Sequence, residues 1–496
     1  MDLFTDRSKK DTQPLHDMKF IICLAGLLQF STTYAQISTL LRYKQLNDSM
    51  IACYNKDDFN GIYKLGNDFF IAHQSEENCI NDFSLEKRNT GDIISTVLTD
   101  DLGSVKYFTW VGKNKTAKLE LRSEDGMIKQ YRIGEFILQP GMTGQAIPTN
   151  NPLKTNLDSV VHKYALVYMC NPEAVSLSIG VYKDGNKYVY TYGEVKKNSG
   201  ILPTGNTIYQ VGSIAKTFIS QLLAKAVVDK KMRLTDDVRN YLKGNFSNLS
   251  YHGHPVTLID LANHTGGFRQ FNFITYPKDV DHMPWNDFMN YLYAYPREKV
   301  IDDLHRLKID TLPGVERNYS VGSFIILGMA LERVYGKSLN TIFNDYYGSS
   351  LRMNDTKLNT ALKDSSRFAT PYNEKGEPIL PMQKSTPGLF TVKSTVNDML
   401  TYIELNVKEN DLAVLLSHKP SWGDVRNFSI GLGWQVIDSW EKGLWIYHSG
   451  HDAGYNSLCS FYPQLGLGFI FLQNESGRQG TLYTLERNIF QNLEKR

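Results

Sequence analysis

The segment Gly212-Ser213-Ile214-Ala215-Lys216-Thr217-Phe218 carries the most informative pattern of this 496-residue sequence. A helical run from Ile214 to Val228 begins inside it, so the pattern predicts that Ser213 lies in the first turn of a helix. Residues three apart share a helix face, which brings the Lys216 amine beside the Ser213 hydroxyl. A serine hydroxyl needs a neighbouring base to act as a nucleophile, and a lysine amine can serve. The segment therefore predicts a nucleophile–base pair.

This spacing alone does not separate a catalytic pair from a solvated helix face. Ser84-Leu85-Glu86-Lys87 has the same spacing and is interpreted as a solvated face. The surroundings of Ser213 differ, because five sequence blocks follow one another in order. They are Gly205-Asn-Thr-Ile-Tyr-Gln-Val-Gly-Ser-Ile-Ala-Lys-Thr-Phe218, Leu261-Ala-Asn-His-Thr-Gly-Gly-Phe268, Pro313-Gly-Val-Glu-Arg-Asn-Tyr-Ser320, Pro387-Gly-Leu-Phe-Thr-Val-Lys-Ser-Thr-Val-Asn-Asp398 and Gly431-Leu-Gly-Trp434.

In these blocks the chain resembles the β-lactamase-related serine hydrolases, which include class C β-lactamases, penicillin-binding D,D-peptidases and related esterases. The resemblance implies an α+β fold (an α/β sandwich) of the β-lactamase/transpeptidase type, with an antiparallel sheet flanked by helices. It also implies acyl transfer through a serine acyl-enzyme, with no metal and no organic cofactor.

The same resemblance implies further site residues. Tyr319 corresponds to the tyrosine of the family's Tyr-x-Asn motif, where a phenol can relay the serine proton to the leaving group. His448-Ser449-Gly450 resembles the family's Lys-Thr-Gly or His-x-Gly strand, in which Gly450 would let a substrate backbone approach closely. The backbone N–H groups of Ser213 and His451 would form the oxyanion hole. The predicted catalytic residues are therefore Ser213, Lys216, Tyr319 and His448, and the predicted oxyanion and substrate-binding residues are Ser213, Gly450 and His451.

His264-Thr265-Gly266 offers the same three-residue pattern as His448-Ser449-Gly450. His448 leads through His451 into an apolar strand pair, as in the family, whereas His264 follows a helix. His264 is therefore interpreted as a loop-fixing histidine.

The tyrosine block departs from the family at its third position, where Val321 replaces the usual Asn. In the family that Asn binds the substrate amide and supports the lysine, and valine cannot form hydrogen bonds with its side chain. Efficient β-lactam hydrolysis is therefore not expected. A D-amino-acid peptidase acting on cell-wall peptides and a carboxylesterase both remain open, and a β-lactamase is the third candidate.

A non-catalytic binding or sensor protein on the same scaffold is the alternative from another class. The Ser–Lys–Tyr set argues against it, because a binding protein has no chemical need for these residues. The expected partner is a small molecule or a peptidoglycan-like peptide. An aromatic-rich segment, Arg269 to Leu312, either walls the pocket or packs against the core.

Composition narrows the partners and the compartment. The chain has 54 basic and 52 acidic residues, a net charge of +2, so nothing in it suggests a nucleic-acid partner. Met18-Lys19, an apolar run from Phe20 to Phe30 and small residues up to Ala35 predict a secretory signal peptide over residues 1–35, with Met18 as an alternative start. A buried N-terminal helix is the alternative. The signal peptide predicts a secreted or periplasmic protein with no integral membrane span after cleavage.

Four cysteines remain after that cleavage: Cys53, Cys79, Cys170 and Cys459. Their spacing does not match a metal site. Both a Cys53–Cys79 bridge and four isolated, mostly buried thiols stay open.

Proline, glycine and asparagine crowd together at residues 140–156, which predicts a linker between folded units. Residues 37–139, before it, show two amphipathic helices followed by three alternating strands, so we expect a small α+β accessory domain, similar in pattern to cystatin-like domains. Residues 157–496, after it, begin with a hairpin around Asp184-Gly185-Asn186 and end with two strands and a helix. One antiparallel sheet completed by sequence-distant strands is expected there.

Overall fold

The computed structural model describes residues 39–74, 76–102, 105–114, 116–134, 147–169, 174–268, 283, 287–288, 291–292, 294–358, 366–373, 376–379, 391–439, 442–476 and 480–493. The chain divides into two compact units, Met1–Gln139 and Pro140–Arg496. The predicted signal peptide, residues 1–35, and residues 140–146 of the predicted linker lie outside the described residues.

The first unit consists of helices followed by an antiparallel meander. The helices are residues 39–55 (α1), Phe59–Tyr63 (α2), Asp68–His73 (α3) and Glu76–Thr90 (α4). The strands, which pair in sequence order, are Ile93–Leu102 (β1), Val105–Gly112 (β2), Thr116–Glu124 (β3) and Met127–Gly134 (β4). Tyr54, Phe83 and Trp110 are fully buried in its core, where their rings meet edge-on or tilted.

The sequence patterns predicted α1, α2 and the last three of these strands, and missed α3, α4 and β1. The ring of Phe83 is buried within α4, but the polar residues around it hide the helical period in the sequence. The similarity to cystatin-like domains stays a prediction.

The second unit contains the larger sheet. Its helices are Asn156–Met169 (α5), Ala215–Val228 (α6), Leu258–Ala262 (α7), Arg297–Arg306 (α8), Val321–Tyr335 (α9), Leu339–Phe343 (α10), Val396–Lys408 (α11), Leu412–His418 (α12) and Gly480–Leu493 (α13). Its strands are Ser176–Lys183 (β5), Asn186–Gly193 (β6), Tyr209–Gln210 (β7), Ser250–Tyr251 (β8), His254–Pro255 (β9), Lys357–Leu358 (β10), Val392–Ser394 (β11), Trp422–Asp424 (β12), Phe428–Gly431 (β13), Trp434–Asp438 (β14), Leu444–Asp452 (β15), Tyr455–Tyr462 (β16) and Leu467–Gln473 (β17).

Eight of these strands form one antiparallel sheet in the order β12-β13-β14-β15-β16-β17-β5-β6. The hairpin β5–β6 from the start of the unit pairs with the last strand, β17, in the register Leu467↔Lys183 to Gln473↔Leu177. The prediction of one antiparallel sheet completed by sequence-distant strands is therefore confirmed.

Helices cover both faces of this sheet. Along β17, Ile470 and Leu472 belong to the core formed with α6, α9 and α11, whereas Phe469 and Phe471 belong to the core formed with α5 and α13. Successive strand side chains point to opposite faces, so an unbroken apolar strand such as β17 indicates a sheet buried on both sides. This layered arrangement holds α6, and with it Ser213, against one face of the sheet.

Part of the predicted linker packs on the second unit. Thr149 forms an isolated bridge with Tyr192, and the Asn151 side-chain amide donates to the Tyr192 hydroxyl at 2.8 Å. The same amide donates to the Asp158 carbonyl oxygen at 2.9 Å. These contacts fasten residues 147–155 to α5 and β6.

Cys53, Cys79 and Cys459 are free thiols, so the alternative of a Cys53–Cys79 bridge is wrong, and Cys170 lies outside the described residues. Within the described part of the chain, no helix has both the length and the hydrophobicity that a bilayer crossing requires.

Candidate active site

Ser213 and Lys216 meet at the start of α6. Gly212–Ile214 forms a 3-10 turn that leads directly into the α-helix, so the serine lies in this tighter turn just before α6 and not in α6 itself. The Lys216 side chain is only 4% exposed, and its Nζ donates to the Ser213 Oγ at 2.9 Å. The serine itself is half-buried. The spacing thus brings the amine and the hydroxyl into hydrogen-bond contact, with one side of the serine open.

Val211 fixes this turn to the strands around it. Its backbone N–H donates to the Val392 carbonyl oxygen at 2.9 Å, and its own carbonyl oxygen accepts from the Ser457 hydroxyl, also at 2.9 Å. Val211 is fully buried. The position of Ser213 is therefore set by β11 and β16 together, which are far apart in sequence.

Strand β15 passes directly beside the same turn. A β-carbon on Gly450 would overlap the Val211 carbonyl oxygen, and a β-carbon on Gly212 would lie 2.6 Å from the His451 backbone nitrogen. Gly212 also has a φ of +52°, in the left-handed region. Both glycines are thus needed for the close approach that brings the His451 N–H next to Gly212–Ile214, the nucleophile turn. We predicted that Gly450 lets a substrate backbone approach closely. In the structure, the backbone that lies against Gly450 is that of Val211.

The His451 imidazole points away from this contact. Its Nδ1 hydrogen-bonds to the Asn456 Oδ1, and the Asn456 side-chain amide donates to the Glu475 carbonyl oxygen at 3.0 Å. His451 therefore meets the nucleophile turn through its main chain, which is the part that an oxyanion hole uses.

The Tyr319 ring lies at the centre of the remaining groups. The Lys216 Nζ is 4.8 Å from its centroid, and the Arg317 guanidinium carbon is 5.9 Å from it. The His264 ring packs on it with a centroid distance of 4.4 Å. The structure thus brings Tyr319 to the Ser213–Lys216 pair, as the sequence predicted, and adds two groups that the prediction did not place there.

His448 is buried and neutral. Its ring is 3% exposed, and Nδ1 donates to the Ser449 carbonyl oxygen at 2.6 Å. Burial, reinforced by the nearby charges of Lys216 and Arg317, lowers its pKa to about 3. An imidazole with its proton on Nδ1 leaves the Nε2 lone pair available as an acceptor. With His448, all six residues predicted for the site lie in or around the nucleophile turn, Gly212–Ile214.

Arg317 is a part of this site that the sequence analysis passed over. Arg317 is half-buried, and its guanidinium carbon lies 5.0 Å from the centroid of the Phe428 ring. Its Nε is buried and has no hydrogen-bond partner among the described residues. Burial lowers its pKa. In the described part of the chain it has no carboxylate within ion-pair distance. Its place two residues before Tyr319 was visible in the sequence, but its packing between two rings was not.

Lys393 is a second missed residue. It lies in β11, paired with Gln210 of β7, and is only 3% exposed. Burial lowers its pKa to about 8, and the charge of Asp452 at the end of β15 opposes that shift. It is thus a buried lysine that follows Val392, the residue whose carbonyl oxygen accepts from the Val211 N–H. A lysine within a short strand gives no sequence signal of burial.

Most of the predicted aromatic wall cannot be assigned to the site. Phe271, Phe273, Tyr276, Trp285 and Tyr293 lie outside the described residues. Tyr295 is 4% exposed, packs on Tyr291 at a centroid distance of 5.6 Å and donates to the Asp303 carboxylate. For this ring, packing against the core is the interpretation that holds.

The family model described as Beta-lactamase matches residues 168–493. A beta-lactamase from Pseudomonas fluorescens is 22% identical over 363 residues, covering 65% of this chain and 94% of that protein. The D-alanyl-D-alanine-carboxypeptidase/endopeptidase AmpH of Escherichia coli is 24% identical over 335 residues, covering 62% of this chain and 82% of that protein.

Solved structures show the same fold. A beta-lactamase/D-alanine carboxypeptidase from Pseudomonas syringae superimposes with a TM-score of 0.59 at 20% identity, covering 68% of this chain and all of that one. An octameric penicillin-binding protein homologue from Pyrococcus abyssi gives a TM-score of 0.58 at 21% identity, covering 68% and 78%. The family match spans about two thirds of the 496 residues and contains every residue of the site described above, so this chain belongs to the beta-lactamase family of serine hydrolases.

Proposed function

We propose that the protein hydrolyses an ester or amide substrate through an acyl-enzyme on Ser213, with Lys216 as its base. The observation that carries this proposal is the 2.9 Å contact between the Lys216 Nζ and the Ser213 Oγ, made by a buried amine beside a half-buried hydroxyl. Proton transfer by a positioned side chain needs this hydrogen-bond distance. The non-catalytic alternative gives no reason for burying a lysine against a serine.

In the proposed reaction, the Lys216 amine accepts the Ser213 hydroxyl proton while Oγ attacks the substrate carbonyl carbon. The carbonyl oxygen becomes an oxyanion, which the N–H groups of Ser213 and His451 stabilise. The tetrahedral intermediate then expels an alcohol or an amine, to which the Tyr319 phenol relays the proton. Water attacks the resulting serine ester by the reverse proton path and releases the acid.

We propose D-amino-acid peptides of the cell wall as the substrate class. The E. coli relative named as a D-alanyl-D-alanine carboxypeptidase/endopeptidase supports this class. A carboxylesterase is the second candidate, and Val321 favours it. Val321 begins α9 and is partly buried against the core, so its side chain offers no group that could bind a substrate amide. Val321 is also the reason why we expect poor β-lactam turnover.

The test is covalent labelling with a fluorophosphonate and with a fluorescent penicillin. The wild type is expected to form an adduct that Ser213→Ala abolishes. Ser84→Ala, at another serine with a lysine three residues later, is the matched control and should label like the wild type. Absence of any Ser213-dependent adduct with both probes would overturn the hydrolase proposal.

A substrate panel then separates the candidates: p-nitrophenyl esters, peptides ending in D-Ala-D-Ala, and a chromogenic cephalosporin. We expect ester turnover and slow cephalosporin turnover. Fast cephalosporin hydrolysis by the wild type would contradict the interpretation of Val321, and D-Ala release would select the peptidase over the esterase.

We also propose that the mature protein is secreted or periplasmic. Residues 37–139 would form an accessory domain with a role in binding or as a spacer. The charged, apolar and small-residue pattern from Met18 to Ala35 supports export. N-terminal sequencing of protein recovered outside the cytoplasm should begin near Gln36. An N-terminus at Met1 or Met18 would contradict cleavage.

A further inference from the structure

His264 contacts three consecutive residues, Asn318, Tyr319 and Ser320. Its carbonyl oxygen accepts from the Asn318 N–H at 2.8 Å, and its Nδ1 accepts from the Ser320 N–H at 2.9 Å. Between these two bonds, its ring packs on the Tyr319 ring at a centroid distance of 4.4 Å and an interplanar angle of 34°. The buried His264 side chain therefore contacts the tyrosine ring and the residue after it, while the His264 backbone holds the residue before it.

This arrangement requires a neutral imidazole. Nδ1 can accept from Ser320 only through its lone pair, which protonation would remove. Burial lowers the pKa of His264 well below its usual value, and the charges of Arg317 and Lys216 and the neighbouring His448 act in the same direction. Among the residues that the structure describes, these groups and the Tyr319 phenol are the titratable or charged side chains that face the ring. Burial therefore favours the neutral imidazole that this hydrogen bond requires.

We propose that His264 is a positioning residue for Tyr319, fixing the phenol beside Lys216 by bonding to Ser320 and packing on the tyrosine ring. This inference rests on the proposed role of Tyr319 as a proton relay. Proton relay depends on the distance between the phenol and the amine, and a displacement of about 1 Å can cost about a hundredfold in rate. Because His264 contacts Tyr319 and not the reacting atoms, its effect should pass entirely through the tyrosine.

The backbone of His264 decides which substitutions are informative. Its φ is +62°, in the left-handed region that Asn tolerates better than most residues. His264→Asn keeps an oxygen that can accept from the Ser320 N–H, but it loses the ring. His264→Phe keeps a ring on Tyr319 and loses the acceptor, and His264→Ala loses both.

The experiment measures the rate of Ser213 acylation by an alkyl ester, whose alcohol leaving group takes the relayed proton. The rate is divided by the number of active sites that a fluorophosphonate labels, so misfolded protein is not counted. Each variant is made in the wild-type background and in Tyr319→Phe. In the wild-type background, His264→Ala should slow acylation by about tenfold to a hundredfold, and His264→Asn should recover part of that loss. In the Tyr319→Phe background, the same changes should alter the rate by less than about threefold, because the group being positioned is gone.

His418→Ala is the control for removing a buried histidine. His418 is 3% exposed and hydrogen-bonds Glu409 at 2.6 Å and Asn406 at 2.9 Å, at the end of α12. Its loss should lower the unfolding temperature without changing the rate per site.

The possible results separate the two proposals. Equal slowing by His264→Ala in both backgrounds, or no slowing in either, would overturn the positioning role while leaving the hydrolase intact. If Tyr319→Phe alone left acylation unchanged, the relay role and the inference built on it would both fall. If the alanine variant does not fold, the asparagine and phenylalanine variants provide the same comparison.

Discussion

Gly450 lies against Val211 so closely that a β-carbon on Gly450 would overlap the Val211 carbonyl oxygen. This contact joins β15 to the residue two positions before Ser213. The same carbonyl oxygen accepts a hydrogen bond from Ser457 at 2.9 Å, so it cannot move aside freely. Strand β15, which carries His451, can thus lie this close to the nucleophile turn because residue 450 has no side chain.

Gly450→Ala should therefore push β15 away from the turn. We expect a loss of about 1–3 kcal/mol in the free energy of unfolding, together with slower labelling of Ser213, because the added methyl meets backbone and not a flexible side chain. Gly348→Ala is the control, since the nearest atom to its β-carbon would be the Lys357 Nζ at 3.9 Å. Denaturant unfolding and fluorophosphonate labelling test this. Wild-type behaviour of Gly450→Ala in both measurements would contradict the packing argument.

Lys216→Arg should nearly abolish acylation while keeping a long side chain that can still donate a hydrogen bond to the Ser213 Oγ. A guanidinium remains protonated in proteins, so it cannot accept the Ser213 proton. Removing a positioned base costs on the order of 10²–10⁴ in rate. Lys225→Arg, on the surface of the same helix and paired with Asp229 at 3.2 Å, should leave the labelling rate unchanged. Rapid labelling of the Lys216→Arg protein would exclude Lys216 as the base.

His448 should make the protein less stable at acid pH. Its pKa is about 3 in the folded protein, below its ordinary value of 6.5, so the unfolded chain binds the extra proton between these two values. The stability that neutral His448 contributes is therefore complete above pH 6.5 and is lost as the pH falls toward 3. Relative to His448→Gln, the wild type should lose roughly 3 kcal/mol between pH 7 and pH 4. A constant difference between the two unfolding free energies would contradict this burial of His448.

Lys393 should make the free energy of unfolding rise with pH in the alkaline range. Its folded pKa of about 8 lies below the ordinary 10.5, so the unfolded chain holds more protons between pH 8 and 10.5 and stability rises with pH there. The difference in unfolding free energy between the wild type and Lys393→Met should grow in favour of the wild type by roughly 2 kcal/mol from pH 7 to pH 10. Lys357→Met, on the neighbouring strand β10 and half-exposed, is the control and should show little slope.

Much of the second unit could be predicted from its sequence because the signals are local. Alternating residues around Asp184-Gly185-Asn186 predicted β5 and β6, and the apolar runs near the C-terminus predicted β16 and β17. The first unit shows where such signals stop. Strand β1 shifts its register near Ile93 and again near Leu98, and these irregularities break the two-residue period on which strand prediction relies.

The Ser213–Lys216 pair could be derived from the sequence alone, because a spacing of three residues at a helix start sets that contact through the chain's own geometry. The surroundings of the pair come from tertiary contacts. Val211 is held by Val392 and Ser457, and His264 meets Tyr319, through contacts between segments that lie 50 to 250 residues apart. Such contacts depend on how the sheet and helices pack together, and no local pattern records them. The nucleophile could therefore be identified from a short segment, but the residues that surround it could be identified only from the folded structure.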